Sequence, residues 1–252
     1  MPGASASKEL DGSLARALGS ASALPDRHWI AQLTGASDAT IDRTLRELTA
    51  RRGEEERIRA TLRAGGRGFY AQIQAPFELY ALTRILRPRH VVELGVSSGI
   101  SSSHFLLGLA KNRGGSLHSI DLPTFQAGAV YRADESPVAI PPDRASGWAV
   151  PKRLRRKWDL RIGPAQELLV PLVSELPGID LFLHDDLHTP RHLKFELATI
   201  RPKLRPGSVV LADNTNWTGR SFPDFARRLG TRPYRRRGTH LMGLRVPRPP
   251  AA

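Results

Sequence analysis

The chain of 252 residues contains no cysteine. That excludes a disulfide framework and any thiolate metal site. It has no apolar run long enough to cross a bilayer, so no membrane partner is expected. The opening segment MPGASASKELDGSL lacks the apolar core of a signal peptide. A reducing, cytoplasmic setting is the expectation. The chain is also short of acid, with 24 Asp and Glu against 38 Lys and Arg, a formal charge of +14. Such an excess can attract nucleic acid or an anionic substrate. The basic residues are mostly scattered arginines with no nucleic-acid-binding motif beside them, so nucleic acid is not the expected partner. Aromatics are sparse at 6%, but a hydrophobic content of 40% and this length suffice for one sizeable core with a small helical extension.

The pattern along the chain is that of an α/β protein. Residues 1–25 are small and polar. A helical period runs from Asp38 to Leu62, interrupted at Arg51 by the charge run RRGEEER, which reads as a solvated turn. A further helix is expected over Pro76–Leu86. These N-terminal helices either cap the main sheet or assist a homodimer, with residues 1–75 read as a helical extension and 76–252 as the main domain. From Val91 onward strands and helices alternate. Strands are expected at Val91–Leu94, Leu117–Asp121, Leu160–Ile162, Asp180–His184, Ser208–Ala212 and Leu241–Val246. Helices are expected at Ser102–Ala110, Gln166–Leu176, Arg191–Leu204 and Phe222–Leu229. Alternation of this kind predicts a Rossmann-like, mostly parallel seven-stranded sheet with helices on both faces. Residues 122–157 break the rhythm with five prolines and the basic cluster PKRLRRK, and read as an inserted lid or substrate loop.

Open sheets of this type bind ligands at the carboxyl ends of their strands. After the first strand come Gly95, Ser97, Ser98 and Gly99, a tight turn where a ligand can approach the backbone. The spacing is neither that of a dinucleotide fingerprint nor that of a phosphate loop. Glu93 before the turn is unsuited to a pyrophosphate but suits a cation. An amino acid ammonium attached to a nucleoside fits, and S-adenosylmethionine carries one. Asp121 ends the second strand, where a carboxylate can accept from both ribose hydroxyls. Ala165 and Gln166 follow the third strand, where a small residue and an amide can face an adenine edge. The fourth strand ends in His184-Asp185-Asp186-Leu187-His188 and the fifth in Asp213-Asn214. Asp185, Asp213 and Asn214 supply oxygen ligands of the kind Mg²⁺ prefers. A metal there can lower the pKa of a substrate hydroxyl. His188, three residues past Asp185, suits the general base. Other readings stand beside these: Asp185 as the wall of the cofactor pocket, Asp213-Asn214 as a turn pair. His184 and His192 flank His188 and either share its role, serve structure, or form a metal site through imidazole.

These residues resemble the class I S-adenosylmethionine-dependent methyltransferases, over roughly Gln74 to Val246. VVELGVSSG looks like the family's first motif, SIDLP at Ser119–Pro123 like its acidic second motif, and RIGPAQELLVPL at Arg161–Leu172 like the segment entering the adenine pocket. Asp180–Asn214 resembles a bacterial small-molecule subfamily with an H-D-x-x-H-T segment. It is also similar to the metal-dependent, catechol-type O-methyltransferases. The resemblance implies methyl transfer to a hydroxyl of a small-molecule acceptor, with Asp185, Asp213 and Asn214 as Mg²⁺ ligands. In that group the base is a lysine three residues past the first metal aspartate, and here the position holds His188. Metal-independent N- or C-methylation, RNA methylation and non-catalytic donor binding are the alternatives.

Overall fold

The computed structural model describes residues 24–50, 52–64, 73, 75–123, 140 and 143–247. Among the described residues four helices come first: α1 (Arg27–Thr34), α2 (Asp38–Thr49), α3 (Arg52–Ala64) and α4 (Pro76–Leu86). There follow β1 (His90–Leu94), α5 (Ile100–Asn112), β2 (Ser116–Asp121), a 3-10 helix (Lys152–Lys157), β3 (Trp158–Ile162), α6 (Ala165–Glu175) and β4 (Ile179–His184). The chain continues through α7 (Pro190–Ile200), a 3-10 turn (Arg201–Lys203), β5 (Leu204–Ala212), α8 (Ser221–Arg228), β6 (Tyr234–Arg235) and β7 (Met242–Arg245). The seven strands form one sheet in the order β3-β2-β1-β4-β5-β7-β6. β1 to β5 run parallel, β7 pairs antiparallel to β5, and β6 pairs antiparallel to β7, so β7 alone is reversed. This is the Rossmann-like α/β fold expected, and the order reverses direction between β1 and β4.

Strand alternation divides the core in two. Val91, Leu117, Leu181, Leu183, Val209 and Leu211 face a layer built from α1, α2, α4 and α5, with Trp29, Phe77, Tyr80 and Phe105 at its centre. Val92, Leu94, Ile120, Phe182, Val210 and Ala212 face α6, α7 and α8 through Leu169, Leu193, Leu197, Phe222 and Phe225. The central strands are buried on both faces, which is why β1 and β4 read as near-continuous apolar runs.

Several boundaries differ from the sequence reading. The stretch Asp38–Leu62 divides into α2, ending at Thr49, and α3, starting at Arg52, and most of the charge run expected as a turn is the first part of α3, where glutamate and arginine are good helix formers. α1 was not anticipated. Asp26 caps it, accepting from the Trp29 N–H, and its Trp29, Ile30 and Leu33 are fully buried. The helix assigned to Arg191–Leu204 ends at Ile200. Pro202 lacks the N–H and disfavours helix in the residue before it, so Leu204 opens β5 instead of closing the helical stripe. β6, two residues long, is too short to show a period. β3, expected from Leu160, begins at Trp158, whose indole N–H donates to Ser119 Oγ at 2.9 Å. Residues 1–23 and the insertion's 124–139 lie outside the described residues. Among the described residues no helix is long and apolar enough to cross a membrane.

Candidate active site

The loops after β1, β2, β4 and β5 meet at the carboxyl edge of the sheet. Gly95 sits at φ 85°, and a Cβ there would lie 2.0 Å from the Asp185 carbonyl oxygen. The turn after β1 and the loop after β4 are thus in backbone contact, which only glycine allows. Gly99, φ 92°, is the N-cap of α5, and a Cβ there would meet Val150 at 2.5 Å. The reason is the end of the insertion, which lies over the turn. Gly147 N–H donates to the Ser97 carbonyl at 2.7 Å and Ala149 N–H to the Ser98 carbonyl at 3.0 Å. Arg155 holds this segment in turn, donating to the carbonyls of Val150 and Gly147.

Two acids flank the turn. Glu93 is fully buried. Its Oε2 accepts from the hydroxyls of Ser102 and Ser119, each at 2.7 Å. Its Oε1 has no hydrogen-bond partner among the described residues. Burial lifts its pKa to about 7 against the opposing pull of the serine hydroxyls. Asp121 ends β2, with Oδ1 accepting from Val96 N–H at 2.9 Å and Oδ2 from Ser146 Oγ. Burial raises its pKa as well, against those same hydrogen bonds. The predicted ribose ligand is therefore at the turn, but it braces the turn and the insertion. Ala165 is buried at the start of α6. Gln166 is exposed, with its amide Nε2 at 3.0 Å from His192 Nδ1.

On the other side, Asp185 N–H donates to the Leu94 carbonyl at 2.8 Å and Asp213 N–H to the His184 carbonyl at 2.9 Å. These bonds extend the sheet by one residue and set both aspartates at adjacent strand ends. Burial raises Asp185 to a pKa of about 6, His188 opposes that rise, and the neighbouring charge of Asp213 adds to it. His188 Nε2 lies 3.6 Å from Asp185 Oδ1. Asn214 adopts φ 47° and its carbonyl accepts from Trp217 N–H at 2.9 Å. The turn-pair reading thus holds for its backbone. The donor set fits a hard divalent cation: two carboxylates in electrostatic contact, one held toward its neutral form, with an amide side chain next in sequence. Trp217 was not singled out in the sequence. It packs edge-on to His188 with ring centroids 5.6 Å apart, so an aromatic side chain walls this end of the site.

Behind this loop lies a second polar cluster, also unforeseen apart from its histidines. His184 Nδ1 is 2.6 Å from Glu196 Oε2 and 3.1 Å from Asp186 Oδ1. His192 Nε2 is 2.9 Å from Asp186 Oδ2 and 2.7 Å from Glu196 Oε1. Burial pulls the His192 pKa down, but Asp186 and Glu196 outweigh it and hold the imidazole near a pKa of about 10. Burial raises Asp186, but His192 and His184 outweigh it and hold the carboxyl well below its ordinary range.

Residues 92–215 match a family described as a methyltransferase domain. No curated protein matches the sequence. Among solved structures, the chain is similar to the SAH-bound Podospora anserina methyltransferase PaMTH1. Identity is 14%, 84% of this chain and 97% of that one are covered, and the TM-score is 0.52. It is also similar to TomG, a Streptomyces achromogenes O-methyltransferase involved in tomaymycin synthesis and solved with SAM. There identity is 16%, coverage is 77% and 89%, and the TM-score is 0.50. At these identities the likeness speaks for the fold.

Proposed function

We propose that this chain, whose residues 92–215 match a methyltransferase domain, is a class I S-adenosylmethionine-dependent enzyme that methylates a hydroxyl of a small molecule with the help of Mg²⁺. The observation that carries the reading is the pairing of Asp185 and Asp213 beside His188, directly against the glycine turn. Glu93 would hold the donor's ammonium through its unbonded Oε1, directly or across a water. Asp121 would take the ribose hydroxyls in place of Ser146. Gly95, Ser97, Ser98 and Gly99 would face the donor with backbone, and Ala165 and Gln166 would edge the adenine. Asp185, Asp213 and Asn214 would ligate Mg²⁺, which, when bound, lowers the pKa of the acceptor hydroxyl. His188 takes the hydroxyl proton as the oxygen attacks the sulfonium methyl, the carbon–sulfur bond breaks, and S-adenosylhomocysteine leaves. The rest is positioning: the cleft has to hold the oxygen, methyl carbon and sulfur in line. The N-terminal helices, residues 1–75, are read as a cap and residues 76–252 as the catalytic domain, with 122–157 covering the acceptor.

The test is methyl transfer from labelled S-adenosylmethionine to a panel of small phenols and alcohols. Turnover that is lost in chelator, and in Asp185→Ala or Asp213→Ala with donor binding intact, supports the reading. Turnover unchanged in both variants removes the metal from it. Transfer to amines or carbon acids alone, insensitive to chelator, would support the metal-independent alternative.

A further inference from the structure

We infer that His184, Asp186, His192 and Glu196 form a second, buried site for a transition-metal dication of the Zn²⁺ or Co²⁺ kind, separate from Asp185, Asp213 and Asn214. Two arms build it. His184 and Asp186 are two residues apart where β4 ends. His192 and Glu196 are four apart on α7, the spacing that stacks side chains on one helix face. Their meeting brings ligand atoms of His184, Asp186 and Glu196 within 4.8 Å of one another. His192 Nε2 joins them through its contacts with both carboxylates.

A proton count points to a missing partner. Four carboxylate oxygens face two imidazole nitrogens, and each nitrogen carries at most one hydrogen. His184 Nδ1 pairs with Glu196 Oε2 and His192 Nε2 with Asp186 Oδ2. Glu196 Oε1 and Asp186 Oδ1 accept no hydrogen bond, although Glu196 is wholly buried. Buried acceptors left this way are costly. A dication at the centre replaces both N–H protons and makes ligands of the nitrogens and of both carboxylates. The ensemble of one dication, two carboxylates and two neutral imidazoles is then uncharged, as a buried site requires. Mixed imidazole and carboxylate ligation suits zinc, cobalt, nickel or iron. Magnesium prefers oxygen and retains its waters. Gln166 places its amide 3.0 Å from His192 Nδ1, and with the amide turned over its oxygen accepts the Nδ1–H, the outer hydrogen bond that fixes an imidazole ligating through Nε2. Such an ion would pin the loop from Asp185 to Thr189, and its presence does not depend on the methyl-transfer reading.

The test is Co²⁺ titration of the metal-stripped full chain, with any affinity tag removed, followed by visible absorption and by metal analysis. The expected result is an intense visible band that saturates with one Co²⁺ per chain and is displaced by Zn²⁺, any Co²⁺ held by the oxygen ligands Asp185, Asp213 and Asn214 adding only weak absorption. The band disappears in His192→Ala and Glu196→Gln and persists in Asp213→Ala. No band and no stoichiometric Zn²⁺ on the folded wild-type chain would overturn the inference. So would a band that vanishes in Asp213→Ala or survives in His192→Ala. If Glu196→Gln fails to fold, the wild-type and Asp213→Ala titrations still decide.

Discussion

Replacing Glu93 with glutamine should separate stability from donor binding. Burial lifts the Glu93 pKa from an ordinary 4.5 to about 7. Between those values the unfolded chain has released its proton while the folded chain keeps it. Folding then takes up a proton, and stability falls as pH rises through this window. At ~1.36 kcal/mol per pH unit, the full loss above pH 7 amounts to about 3 kcal/mol. Glutamine carries no charge, so Glu93→Gln removes this slope. The amide keeps an oxygen for Ser102 and Ser119. The assay is urea unfolding of both proteins, free of donor, at pH 5 and pH 8. The difference in stability between variant and wild type should grow in the variant's favour by about 2.5 kcal/mol between the two pH values, since part of the loss already lies below pH 5. Donor binding should move the other way. A charge-assisted hydrogen bond contributes ~1.5–3 kcal/mol, so affinity for S-adenosylmethionine should drop roughly 10- to 100-fold. Parallel pH profiles for the two proteins would refute the reasoning, because they would mean that the carboxyl is not held desolvated.

Gly95→Ala should abolish S-adenosylhomocysteine binding and lower stability by more than ~2 kcal/mol, since a Cβ at φ 85° would collide with the Asp185 carbonyl. Calorimetry and thermal unfolding would check both. Ser146→Ala should tighten donor binding several-fold, as the ribose would no longer compete with that hydroxyl for Asp121. Weaker binding would show instead that the insertion must stay clamped. Glu78→Gln should cost ~3 kcal/mol in urea unfolding, because Glu78 Oε1 holds Arg236 Nε at 2.6 Å in the interior and its loss leaves a buried guanidinium unpaired. An unchanged midpoint would show that the ion pair is replaceable.

Much of this site could be read from the sequence where a single local pattern carried it. Gly95 and Gly99 stood out because a turn leaving a buried strand needs positive φ, and both adopt it. Asp185 and Asp213 were placed because residues just after parallel strands share one edge of the sheet. The polar cluster behind them was not legible in the same way. His184 and Asp186 come from a strand end, His192 and Glu196 from a helix, and only packing decides that these pairs meet. Asp121 illustrates the same limit. Its position was readable, but its partner Ser146 comes from an insertion with no period to read. Trp217 sits three residues past Asn214 in an irregular loop, and its packing against His188 has no counterpart in spacing. The β5 boundary was misplaced because Leu204 continues the apolar period of α7, although Pro202 already ends the helix.

The proposal of metal-assisted O-methylation is tested most directly by Mn²⁺ binding, followed by electron paramagnetic resonance, to the chain saturated with S-adenosylhomocysteine. The account predicts one Mn²⁺ that Mg²⁺ displaces, retained in Glu196→Gln and lost in both Asp185→Ala and Asp213→Ala. Free Mn²⁺ signal throughout the wild-type titration, or equal binding by the aspartate variants, would contradict it.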